Sequence, residues 1–130
     1  VIPQDPKLAA QVEQWVSLGN TTFDPVMMRN YVVKYVFAPD GKPDMAAIAA
    51  AAEQMKKQIA ILDKAVSKTG HLVGDGFTFA DMNLLPMLVY ISRFEEAKAL
   101  MAGAPNLTAY LARHRERPSF KASTPPRPSN

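Results

Sequence analysis

Between positions 45 and 66 the apolar residues Met45, Ile48, Ala52, Met55, Ile59, Leu62 and Val66 follow one another at steps of 3, 4, 3, 4, 3 and 4. That is the period of an α-helix with one apolar face. Asp44 fits its N-cap and Gly70 its stop. Glu53, Lys56, Lys57, Lys64 and Lys68 lie off the stripe. Alanines at 46, 47 and 49–52 favour helix and let a neighbour approach closely. Such a face must be buried against other helices, and about three heptads are too few for a long coiled coil.

The rest of the chain repeats the pattern. Leu8, Val12 and Trp15 form a short stripe, weakened by Gly19, Asn20, Thr21 and Thr22. Asp24-Pro25 either restarts the helix, as N-cap and first helical residue, or kinks one long helix. Met28, Val32, Tyr35 and Val36 share one face, and Met27, Asn30, Tyr31, Lys34 and Phe37 share another. Residues 38–44, "APDGKPD", read as a loop. A helix follows to Phe94, then a short one from Glu95 to Met101. A last helix turns Leu107, Tyr110, Leu111 and His114 inward and ends at Pro118. The expected fold is all-α, a bundle of five or six helices. The helical domain spans 1–117, and 118–130 form a proline-rich tail.

The segment "GDGFTFADMN" marks a helix start. Thr78 and Asp81, three residues apart, can cap each other's backbone N–H groups. Phe77 and Met82 are spaced as a hydrophobic staple across the cap. Gly74 and Gly76 let the chain turn into it. Pro86 has no N–H for the Met82 carbonyl, so a kink is expected there.

Composition narrows the chemistry. In 130 residues, 48% apolar, there is no cysteine, which removes disulfides, thiolate metal sites and thiol nucleophiles. No apolar run is long enough to cross a membrane. The net charge of +3 comes largely from Arg113, Arg115, Arg117, Lys121 and Arg127. That patch lacks the interleaved aromatics of a nucleic-acid surface, so a solvated face is the expectation. His71 and His114 stand far apart in sequence and suggest no metal site. The serines lack a histidine–carboxylate arrangement, and "GDG" is not a phosphate loop. No catalytic residue is assigned.

"LVGDGFTFADMNLLPML" resembles the capping-box segment at the start of the sixth helix of the cytosolic glutathione transferases, in its phi-type and bacterial form. "FDPVMMRNYVVKYVF" resembles that family's fourth helix, and "PNLTAYLARHRERPSF" its closing helix. "VIPQDPKLAAQVEQW" is similar to the linker between the family's two domains. The resemblance implies the C-terminal helical domain of an enzyme that conjugates glutathione to small electrophiles. In the family a thioredoxin-like domain precedes this one, binds most of the glutathione and activates its thiol. Nothing in this chain resembles that domain, so the chain alone is expected to be inactive. The helical domain's share is an electrophile-pocket wall, carried over as Met27, Asn30, Tyr31, Lys34 and Phe37, and part of a homodimer interface. The resemblance also implies a cytoplasmic location. The alternative is a free-standing protein-interaction module of the same fold.

Overall fold

The computed structural model describes residues 3–118. Helix α1 spans Pro6–Leu18, started by the Asp5 carboxylate, which accepts the Lys7 N–H at 2.8 Å. The rod does not stop at Gly19 or restart at Asp24. Leu18, Gly19, Asp24, Val32 and Val33 all keep right-handed helical dihedrals. Two π-helical segments, Gly19–Phe23 and Pro25–Val32, carry the chain into a short helix α2, Val33–Val36. In them the bonds reach back five residues, from the Asp24 N–H to the Gly19 carbonyl and from the Val33 N–H to the Met28 carbonyl. Pro25 has no N–H, and its ring crowds the carbonyl four residues back, so wide turns relieve a clash that an α-helix could not.

Helix α3, Met45–Ala65, is the bundle's central rod. The Asp44 carboxylate caps it by accepting the Ala47 N–H at 3.1 Å. Ile48, Met55, Ile59, Leu62 and Val66 are buried as the stripe predicts, joined by Ala51 and Gln58. Met45, at the stripe's outer end, is exposed. Gln58 is polar at a core position because it faces the wide turns. Its amide donates to the Thr22 carbonyl at 3.3 Å.

Helix α4, Phe79–Ile91, buries Ala80, Asp81, Leu84, Leu85, Met87, Leu88 and Ile91 and runs through Pro86. Pro86 and Met82 are both exposed, so the hydrogen bond missing between them lies toward solvent. Just past α1, Gly19 lies close against α4, where an added Cβ would collide with the Asn83 side chain. Helix α5 spans Glu95–Ala102 and α6 Pro105–Arg115. On α6, Leu107, Tyr110, Leu111 and His114 are buried, as their spacing predicts. Its first turn has no cap of its own. Asp63 of α3 supplies one, accepting from the Leu107 N–H at 2.9 Å and the Asn106 amide at 3.3 Å. The architecture is all-α, with no strand among the described residues. The stretch from 119 on, which holds nearly all of the expected tail, lies outside them.

Candidate functional site

Asp81 is the most connected polar group in the core. Its side chain is fully buried. Oδ2 accepts the Thr78 N–H at 3.0 Å, and the Thr78 hydroxyl accepts the Ala80 N–H at 3.3 Å. The reciprocal cap of "GDGFTFADMN" is therefore formed. The same carboxylate does two further things. Oδ1 accepts the Leu72 N–H at 3.1 Å, fixing the preceding loop, and the Tyr110 hydroxyl at 2.7 Å, tying α4 to α6. Burial chiefly, helped by the Asp81 charge, pushes the Tyr110 phenol far up, so it is a permanent donor.

Phe77 packs toward the end of α6. Its ring lies 5.2 Å from the His114 ring and receives the Arg117 guanidinium at 4.0 Å, while Met82 is 45% exposed. His71, which stands alone in sequence, does not stand alone in space. Its Nδ1 lies 3.9 Å from Asp81, and its ring lies 5.2 Å from that of His114. No group of three ligand-type side chains among the described residues could hold a metal ion.

The five residues expected on one pocket face separate into two sets. Met27 and Tyr31 have no exposed surface and belong to the core. Asn30 and Lys34 are exposed, and Phe37 is 75% exposed. The face expected to pack inward divides as well: Val32 is buried, Met28 and Tyr35 are half-buried, and Val36 is exposed. The reason is local. A 100° step per residue holds for α-helix, and the π-turns between Gly19 and Val32 move every later side chain off that count.

Tyr31 is held as a structural group. Its hydroxyl donates to Glu96 Oε1 at 3.0 Å and accepts the Ala97 N–H at 3.0 Å. The Tyr35 hydroxyl donates to the same Glu96 oxygen at 2.6 Å, and its ring stacks on Phe94 at 4.3 Å. Burial first, and then the Glu96 contact, pushes the Tyr35 phenol up to about 12 and raises Tyr31 as well. Burial alone would raise the Glu96 carboxyl. Bonds donated by Tyr35, its own backbone N–H and Tyr31 outweigh this and hold it below its ordinary value. Neither phenol is thus an activating base at neutral pH. The two faces expected from sequence hold Tyr31 and Tyr35 apart, and nothing in the sequence points to Glu96.

An open groove of about 470 Å³ lies between α1 and the start of α4. Val12, Val16 and Phe79 supply its apolar lining, and Glu13, Ser17, Asn20 and Thr21 its polar edge. None of the five expected pocket residues lines it.

Comparison with known proteins places this arrangement. Residues 23–118 match the family model described as glutathione S-transferase, C-terminal domain. Glutathione S-transferase 3 of Zea mays is 30% identical over 131 residues, covering 94% of this chain and 58% of the relative. The crystal structure of glutathione transferase F7 from Populus trichocarpa superposes with a TM-score of 0.84 at 27% identity, over 94% of this chain and 58% of that one. A theta class glutathione S-transferase of Xanthomonas axonopodis pv. citri with glutathione bound has a TM-score of 0.76 at 28% identity, over 93% and 56%. The chain thus spans a little over half the length of these relatives. An all-helical bundle with a buried capping aspartate, matched by that family model and by plant and bacterial transferases alike, belongs to the glutathione S-transferase C-terminal domain family.

Proposed function

We propose that this chain is the electrophile-side domain of a glutathione transferase. Its partner domain, a thioredoxin-like one, would bind most of the glutathione and lower the thiol pKa, since the attacking species is the thiolate. The commitments of three phenols fit a thiol activated elsewhere. Tyr31, Tyr35 and Tyr110 are all pushed up and committed to carboxylates. The chain's contribution is a wall for the apolar substrate and a surface for a homodimer in the cytoplasm.

The observation that carries this reading is the division of the expected face. Asn30, Lys34 and Phe37 stand on the outside, at steps of four and three, while Met27 and Tyr31 fix the rod from behind. A wall needs both, an accessible surface and a rigid backing. Phe37 offers the electrophile a large ring at low entropy cost, and Lys34 and Asn30 offer polar contacts.

The test is steady-state conjugation of glutathione to an aryl halide by the longest protein whose reading frame encloses this chain. Phe37→Ala should raise KM for the aryl halide about tenfold and leave KM for glutathione unchanged. An unchanged aryl-halide KM would remove Phe37 from the wall. No turnover, together with a stable complex with another protein, would favour an interaction module instead.

A further inference from the structure

The loop between α3 and α4 and the last turn of α6 meet around two histidines. Gly70 and His71 lie in the loop, and Arg113 and His114 end the helix. The Arg113 guanidinium approaches His71 Nε2 at 2.8 Å and the Gly70 carbonyl at 3.3 Å. His114 Nε2 lies 3.2 Å from that same carbonyl. Arg117, just beyond, covers Phe77.

The chemistry of the partners fixes both tautomers. A guanidinium only donates, so His71 Nε2 must accept and its proton sits on Nδ1. A carbonyl only accepts, so His114 must donate from Nε2, and its Nδ1 is a bare lone pair. Both Nδ1 atoms are buried without a hydrogen-bond partner. The neutral pair therefore satisfies the contact with Arg113, and a further proton on His71 has one place to go. It must take Nε2, the atom that Arg113 occupies.

We infer that the Gly70–His71 turn and the end of α6 form a proton-operated latch, closed while both imidazoles are neutral and opened when His71 is protonated and expels Arg113. The proton comes from solvent. The bond lost is the one Arg113 donates, replaced by two cations facing each other. Asp81 attracts the charged form across 3.9 Å but gains no new hydrogen bond to it, because it faces Nδ1, which already carries hydrogen, and its oxygens already accept from Leu72, Thr78 and Tyr110. The charged groups around His71 are Asp81 from α4, Asp75 from the loop, Arg113 from α6 and Arg117 after it. Around His114 they are Asp81, His71 and Arg113, with Tyr110 one turn back. Burial is the largest influence on both rings and favours the neutral form; on His71 Asp81 and Asp75 oppose it while Arg113 and Arg117 add to it, and on His114 the bond to the Gly70 carbonyl and Asp81 oppose it while His71 and Arg113 add to it. Proton uptake therefore loosens residues 69–78 and the end of α6 before the α3 core.

Hydrogen exchange between about pH 8 and about pH 5, corrected for the intrinsic rate, tests this across the range in which an ordinary histidine titrates. Protection of residues 69–78 and 111–117 should fall severalfold in acid while that of 51–62 holds. His71→Gln keeps a neutral acceptor for Arg113 and should flatten the response. If that variant does not fold, Arg113→Gln should raise the His71 titration midpoint measured by NMR. The neutral His71 signal should be that of the Nδ1–H tautomer. An even loss of protection across the whole chain, no loss at all, an unaltered response in His71→Gln, or an Nε2–H tautomer would each overturn the latch.

Discussion

Asp81 shows how much a single residue's role depends on its surroundings. An exposed cap is worth about 1 kcal/mol. Here removal strands two backbone N–H groups and the Tyr110 hydroxyl in the core, and each unpaired donor costs about 1–3 kcal/mol. Asp81→Ala should therefore cost about 3 kcal/mol or more in urea unfolding, well beyond Tyr110→Phe at about 1 kcal/mol. Equal losses would mean that the carboxylate serves Tyr110 only. Gly70 has φ +74°, and a Cβ there would press on the Arg113 guanidinium. Gly70→Ala should cost about 1–2 kcal/mol through the backbone alone. The two histidines set a pH dependence. Their folded pKa values are depressed, so the unfolded chain binds more protons through the histidine range. Their contribution is complete above the unfolded value of about 6.5 and is lost as pH falls through the folded values. The melting temperature should decline in mild acid, and less so in His71→Gln.

At the scale of elements, legibility followed the regularity of the backbone. The α3 stripe was readable because one period holds from Ile48 to Val66, and the observed burial follows it. The α4 start was readable because capping is chemistry within four residues of sequence. The rod from Pro6 to Val36 was readable as helix but not as faces. Pro25 changes the turn, and Tyr31 and Val36 exchange the roles that a uniform period gives them. Cross-element caps follow the same limit: Asp63 sits 44 residues from the Leu107 N–H it serves. Asp63→Ala should lower stability by about 1 kcal/mol, the usual value of a lost cap. If thermal melting is unchanged, α6 starts without help. Gln58 is a cap of another kind, meeting a carbonyl at the wide turns, and Gln58→Leu should loosen Gly19–Phe23 in hydrogen exchange before it loosens α3.

Across the whole molecule, the candidate wall and the core are two sides of one rod. Tyr31 and Tyr35 tie that rod to the start of α5 through Glu96, and the exposed strip of Asn30, Lys34 and Phe37 rides on the opposite side of the same turns. A uniform helical period sets the five expected residues on one face, and the wide turns divide them, Met27 and Tyr31 into the core and Asn30, Lys34 and Phe37 to the surface. The His71–His114 meeting was not legible at all, since only the packing of α6 on the loop brings those rings to 5.2 Å. The division of labour between this chain and a glutathione-activating domain is the claim on which the functional reading stands. Conjugation of glutathione to an aryl halide, measured side by side for this chain and for the longest protein that encloses it, tests that claim most directly. The account predicts turnover by the longer protein and none by the chain. Turnover by the chain on its own, or an inert longer protein, would contradict it.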